Sequence, residues 1–251
     1  MRVIEQSAAI LDWSGLGLYE RVETAARVCR RSESKGDAEG FVRSLIRRGH
    51  YPPLEFARIK TGIQESENVR RIREESAEGR TLALVWLCRL AAQYPALADG
   101  TGVVPAEDGR VAADDTWIPV LIATSRTISH QLVRYRHDIT FCQESQRHVR
   151  YDRDGIEVIM PPGLGIQVTR GIWYDAVVDA EDAYLRMMEA GATAEQARAV
   201  LPGCTATRIL AYASPQEWRH IFSQRCDSHA DPQMAALMIP LREEMRARGL
   251  I

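Results

Sequence analysis

The chain has 251 residues, a formal net charge of −2 and a pI near 6.3. It is long enough to bury one full core and too evenly charged for a general nucleic-acid binder, whose domain would be basic as a whole. Of 32 Lys+Arg only Lys35 and Lys60 are lysine, so arginine positions carry more information than arginine counts. The five cysteines, Cys29, Cys88, Cys142, Cys204 and Cys226, are scattered and without a C-x-x-C pair, which argues against a disulfide framework or a zinc site. Residues 1–15 include Glu5 and Asp12 and lack the basic start and apolar run of a signal peptide, and the most apolar stretch, 81–92, is interrupted by Arg89. A soluble cytoplasmic protein with no membrane or nucleic-acid partner is the expectation.

In chain order, Val22, Ala25, Ala26 and Cys29 share one helical face, and Phe41, Leu45 and Ile46 repeat the pattern, which predicts two opening helices over 19–31 and 37–48. Pro52-Pro53 predicts an extended break, and 56–63 alternates as a strand. Residues 65–115 run from a charged stretch through an apolar helical one into a Gly/Asp/Ala/Pro loop, and are taken as an inserted helical excursion. A strand is predicted at 118–123, a helix over 127–136 capped by Ser125 or Thr127, and a strand at 155–160 ended by Pro161-Pro162-Gly163. The last third is expected to be helical: 172–190 is amphipathic, Thr193 to Gln196 is a capping box, Ser214-Pro215-Gln216-Glu217 is another, and Asp231-Pro232 opens a final helix.

Chemistry concentrates in the stretch from His130 to Tyr151, which is rich in arginine, histidine, amides and hydroxyls. This composition suits anions and nucleotides better than a core. Trp218, Phe222, Arg225 and His229 share a helix face at spacings of 4, 3 and 4, so Arg225 needs an anionic or polar partner; the bland alternative pairs it with Asp227 or Glu217. Arg208, with Thr205 and Thr207 near an expected helix start, suits a phosphate or a solvated face. His50 and Glu55 flank the proline turn, where a polar loop explains them equally well. Neither His137, Cys142 and His148 nor His220, Cys226 and His229 has metal-ligand spacing, so no metal is expected. Neither a G-x-S-x-G elbow nor a dinucleotide fingerprint occurs.

Five ordered blocks resemble the flavin-dependent thymidylate synthases, the thymidylate synthase-complementing family, whose signature is R-H-R, seven residues, then S. Arg134-Tyr135-Arg136 with Gln143-Glu144-Ser145-Gln146-Arg147 resembles that signature. Ala25-Ala26-Arg27-Val28-Cys29 resembles its A-A-R-x-S/C, and Gly49-His50 through Leu54-Glu55 its G-H-x-x-x-x-E. Leu201-Pro202 through Arg208, and Trp218 through Asp231, resemble its C-terminal blocks. The departures are Tyr135 for histidine, eight residues in place of seven before Ser145, His148 for tyrosine, and Ser214 and Gln216 for asparagine and arginine. Residues 65–115 match nothing in the family.

The resemblance implies an α+β fold, a small mostly antiparallel sheet flanked by helices in a single domain over 1–251 with an insertion at about 65–115, assembled as a homotetramer that shares sites between subunits. It implies C5-methylation of a uracil nucleotide, dUMP or UMP, with FAD as cofactor and methylenetetrahydrofolate and NADPH as co-substrates. Arg225 takes the catalytic role at the base; Gln131, Ser145, Gln146, Arg147 and Arg208 bind the rest of the nucleotide; Cys29, His50, Glu55, Arg134, Tyr135, Arg136, Gln143 and His220 hold the FAD. The departures keep open a specialised variant that methylates UMP, as relaxed members do in polyoxin-type nucleoside-antibiotic pathways. A non-catalytic nucleotide- or RNA-binding module using the 134–153 stretch is the alternative of a different class.

Overall fold

The structure is a computed structural model describing residues 1–50, 52–57, 62–63, 103–104 and 116–251. The chain divides into two units: one of 1–12, 28–32 and 116–251, the other of 13–27 and 33–115.

The larger unit is built on a four-stranded antiparallel sheet in the order β2 (Ser7–Ile10), β5 (Ile118–Ser125), β8 (Ala206–Ala213), β6 (Ile139–Gln143). Register places Ile118 opposite Ala213, Val120 opposite Ala211 and Ile122 opposite Ile209. These six side chains form one apolar face, closed by α3 (Arg126–Leu132), α6 (Pro215–Arg225) and α7 (Pro232–Ala247), with Trp218, Ile221, Met234 and Met238 inside. Each large aliphatic residue buried here contributes about 1.5–3 kcal/mol. The Trp218 indole N–H donates to the Ile118 carbonyl at 3.2 Å, so even the bulkiest core ring leaves no polar atom stranded. Ser125, Ser214 and Asp231 cap the three helices through their side-chain oxygens, with proline at the first position of α6 and α7.

A second core lies under α4 (Gln167–Glu189), α5 (Ala194–Ala197) and the parallel pair β1 (Arg2–Val3) and β7 (Glu157–Val158), around Tyr151, Ile156, Val177 and Tyr184. In the smaller unit, α1 (Leu18–Val28) and α2 (Ala38–Arg47) bury Val22, Ala26, Val42 and Leu45 against Leu54, and β3 (Gly62–Ile63) pairs with β4 (Val103–Val104). Among the described residues no helix is long and apolar enough to cross a membrane.

The α+β class is observed, with five corrections of detail. Residues 206–213 are the central strand β8, where helix was expected through the last third. From Ile209 onward this strand is an apolar run buried on both faces, and short runs of that kind read alike as helix or strand. β6 follows a turn at Asp138, φ 42°, inside a segment whose polar residues masked its period. Pro52–Phe56 forms a 3-10 turn in place of an extended break, since proline's fixed φ also suits a first helical turn. The strand expected over 56–63 is observed only at 62–63, residues 58–61 lying outside the described residues. The excursion expected over 65–115 also lies outside them, apart from β4. α4 is longer than expected and leaves Ile172 65% and Val168 68% exposed.

Candidate functional site

The C-terminus of α6 and the end of α3 meet at one corner. The Arg225 Nε–H donates to the Tyr135 hydroxyl at 2.8 Å and Nη1 donates to Gln131 Oε1 at 3.4 Å, with the guanidinium 5.4 Å from the Tyr135 ring centre. Tyr135 in turn donates to Gln224 Oε1 at 3.3 Å, and its ring meets His220 edge-on at 5.8 Å. Gln131 Nε2 donates to Asp231 Oδ2 at 3.1 Å, while Asp231 Oδ1 caps α7. The bland pairing of Arg225 with Asp227 or Glu217 is not what forms. Asp227 accepts from the His229 N–H at 2.9 Å, and Glu217 is buried, which pushes its carboxyl up. Arg225 is therefore aimed by neutral oxygens and keeps its charge for something else.

Gln143 is held inside the sheet, donating from Nε2 to Ser129 Oγ at 2.8 Å and Thr207 Oγ1 at 3.1 Å. One residue earlier, Cys142 Sγ lies 3.1 Å from Cys29 Sγ. That contact, assisted by Arg30 and opposed by burial, lowers the Cys29 thiol below its usual range. The Ser145 N–H donates to the Cys29 carbonyl at 2.9 Å, and Ser145 Oγ accepts from the Arg147 N–H at 3.3 Å. Gln146 is buried with its Nε2 unpartnered, an orphan donor that a ligand oxygen would satisfy. Arg134 and Arg136 are exposed.

Beneath this turn lies a charge network absent from the sequence reading. Arg31, in the left-handed region at φ 47°, donates from Nε to Glu144 Oε2 at 2.7 Å and from Nη2 to Glu157 Oε2 at 2.8 Å. Arg208 Nη1 donates to Glu157 Oε2 at 2.9 Å and lies 3.5 Å from Glu144 Oε2, Arg2 also pairs with Glu157, and Tyr151 donates to Glu144 Oε1 at 3.1 Å. Burial pushes the Glu157 carboxyl up, but hydrogen bonds from Arg208 and Arg2 and the charges of Arg208 and Arg31 outweigh it and hold it at about 2. Burial and the Glu144 charge push the Tyr151 hydroxyl well up. The available signal was Glu157 itself, an acid inside the apolar run Ile156 to Ile159.

A cavity of about 780 Å³ opens beside the same turn, lined by Arg30, Arg147, His148, Arg150, Met188 and residues 191–194. Arg150 pairs with Asp152 at 2.6 Å; Arg147 reaches only to 3.9 Å from Glu195, both side chains being more than half exposed. The predicted nucleotide residues thus separate: Gln131 and Arg225 share the corner, Arg147 lines the cavity, and Arg208 joins the carboxylates. His50 and Glu55 belong to the smaller unit, where the His50 N–H closes α2 on the Leu45 carbonyl at 3.0 Å and Glu55 lies in the 3-10 turn. Among the described residues no cluster of His, Cys, Asp and Glu is placed to hold a metal ion.

This fold is shared with a solved structure of the UMP/dUMP methylase PolB from Streptomyces cacaoi bound with 5-Br UMP: TM-score 0.51 and 17% identity, covering 100% of this chain and 92% of that one. The thymidylate synthase complementing protein family model matches residues 118–248, just over half of the chain, and the chain belongs to that family. It is 34% identical over 118 residues to a flavin-dependent thymidylate synthase of Geobacter sulfurreducens (47% of this chain, 50% of the relative). It is also 34% identical over 131 residues to one of Mycolicibacterium gilvum (46% and 51%). The chain spans about half the length of the curated relatives it matches.

Proposed function

We propose that the protein is an FAD-dependent methyltransferase that methylates C5 of a uracil nucleotide, dUMP or UMP, with methylenetetrahydrofolate as one-carbon donor and NADPH as reductant. The observation that carries this reading is Arg225, a cationic fork oriented by the Tyr135 hydroxyl and the Gln131 carbonyl, with no carboxylate among the described residues paired to it. A guanidinium so placed stabilises negative charge developing on a pyrimidine ring whose oxygens it holds.

Bound FAD would supply the redox chemistry, relaying reducing equivalents from NADPH to the transferred one-carbon unit. The exposed guanidiniums of Arg134 and Arg136 and the orphan donor of Gln146 suit the oxygens of phosphorylated ligands. With Arg134 and Arg136, residues Tyr135, Gln143, His220, Cys29, His50 and Glu55 keep the flavin role that the resemblance implies. In the nucleotide, Gln131 and Arg225 take the base and sugar, and Ser145, Gln146 and Arg147 the phosphate. Arg208 reaches a phosphate only by loosening its hold on Glu157. Among the described residues no base is hydrogen-bonded to Ser145 to make it a nucleophile: its hydroxyl accepts the Arg147 N–H. Burial pushes the Cys226 thiol up, the wrong direction for a thiolate that would attack C6.

The domain is taken as one family domain over 1–251 with 65–115 inserted, acting as a homotetramer; the exposed apolar stripe of α4, Val168, Ile172, Tyr174 and Val178, supports a covering partner. One observation favours acceptance of UMP as well as dUMP: the PolB fold neighbour is described as a UMP/dUMP methylase. An RNA-binding module using the 134–153 stretch is disfavoured by the chain's formal net charge of −2, which leaves the domain as a whole without a basic field.

The test is turnover of purified protein with methylenetetrahydrofolate, NADPH and either nucleotide. Wild-type protein is expected to methylate both, and Arg225→Ala to lose about 100- to 1,000-fold in rate. Wild-type rates in Arg225→Ala, or no methylated product from wild-type protein, would overturn the assignment.

A further inference from the structure

Spacing in the sequence pairs none of the five cysteines, yet the fold brings two of them into contact. Cys29 follows the last residue of α1, and Cys142 lies on β6, opposite Leu210 of β8. They stand 113 positions apart in the chain, and their Sγ atoms are 3.1 Å apart. Both backbones are tethered near the sulfurs. The Ser145 N–H donates to the Cys29 carbonyl at 2.9 Å, and Arg31, two residues after Cys29, donates to Glu144, two residues after Cys142. The contact therefore does not depend on the chance meeting of two loose side chains.

The two thiols differ in access and in acidity. Cys29 is half-buried and Cys142 is buried, so a reagent in solution meets Cys29 first. The contact with Cys142 lowers the Cys29 thiol, against burial and with help from the Arg30 charge. Burial pushes the Cys204 and Cys226 thiols the other way. A partly accessible thiol of lowered pKa with a second sulfur against it is the arrangement of an attacking and a resolving cysteine.

We propose that Cys29 and Cys142 form a reversible dithiol–disulfide site that exchanges with a low-molecular-weight disulfide. The Cys29 thiolate attacks one sulfur of that disulfide and expels the other half as a thiolate, leaving a mixed disulfide on Cys29. Cys142 then loses its proton and attacks Cys29 Sγ. The Cys29–Cys142 bond forms, the mixed bond breaks and the second half leaves as a thiolate. Two electrons pass from the protein to the reagent, which takes up the two cysteine protons and ends as two thiols. The new bond staples residues 28–32, which send Arg31 into the carboxylates, to the strand that carries Gln143. In a reducing compartment such bonds are transient, so the staple opens and closes with the surrounding thiol poise.

The experiment treats native wild-type protein, Cys142→Ser and Cys29→Ser with glutathione disulfide, then blocks free thiols by alkylation and maps the peptides by mass spectrometry. Wild-type protein is expected to lose two of its five thiols, to yield a peptide linked between positions 29 and 142, and to recover both thiols in dithiothreitol. Cys142→Ser should hold glutathione on Cys29, because nothing resolves the mixed disulfide, and Cys29→Ser should give neither a link nor an adduct at Cys142. The linked wild-type protein should melt about 5 °C or more above the reduced form, as expected for closing a long loop. Five thiols surviving in the native protein, glutathione resting on wild-type Cys29 with Cys142 still free, or a link that appears only after denaturation each overturns the site. A linked form that melts below the reduced one overturns the claim that the native fold is built to accept the bond.

Discussion

Two arginines that the family resemblance assigns to the nucleotide sit in opposite electrostatic company. Arg225 is oriented by a phenol and an amide carbonyl, groups that fix its direction without cancelling its charge. Arg208 is oriented by Glu157 and Glu144, which cancel its charge while fixing it. A side chain kept for a reacting partner needs orientation with its charge intact, whereas one that holds two segments together needs neutrality. The partners, more than the arginine, therefore separate the two duties.

The largest stability effect should come from breaking the neutral network. Glu157→Ala leaves Arg2, Arg31 and Arg208 short of a carboxylate they share. Removing one side of a buried pair costs about 3–5 kcal/mol, and because Arg31 and Arg208 still reach water we expect about 2–4 kcal/mol here in chemical denaturation. A loss below about 1 kcal/mol would mean that the network is not structural.

Acid should probe the same network more gently. The Glu157 carboxyl is depressed from 4.5 to about 2 in the folded chain. Its contribution is therefore complete above the unfolded value and is lost as pH falls from about 4.5 through 2, when the unfolded chain binds the proton more readily. Wild-type stability should fall across that window, and Glu157→Gln should flatten the fall; an identical acid profile in the variant would remove Glu157 as its source.

Those regions also differ in how far they could be read from residues alone. The Arg225 face was legible because the 4, 3 spacing of Trp218, Phe222 and Arg225 fixes a helix face whatever lies opposite; the helix ends at Arg225, so His229, expected on the same face, lies in the turn that follows, and the identity of the partner of Arg225 was not legible. Tyr135 and Gln131 lie about ninety residues away, and nothing local says that they meet. Glu144 and Glu157 were passed over since each appears as one acid among many; only the fold shows a single carboxylate receiving three arginines. The α+β class followed from the family blocks, but β8 did not follow from its own residues. A strand buried on both faces has no alternation to detect, and Leu201-Pro202 suggested a helix start. The cavity was the least legible, because Arg30, Arg147 and residues 191–194 converge only through the turn that Ser145 ties to Cys29.

The smallest change expected to matter is Tyr135→Phe, and it tests whether Arg225 depends on being aimed. Phenylalanine keeps the ring against His220 and under the guanidinium, and deletes only the hydroxyl that accepts from Arg225 and donates to Gln224. The stability loss should be about 1 kcal/mol, the usual net worth of such a bond. Arg225 then retains Gln131 at 3.4 Å as an anchor, so its fork gains freedom to swing away from the base. If aim matters, the methylation rate at saturating nucleotide should drop about tenfold while nucleotide affinity, set largely at the phosphate, stays close to wild type. An affinity loss with an unchanged saturated rate would instead place Tyr135 in substrate binding. A rate that survives both measurements would mean that Gln131 alone orients Arg225.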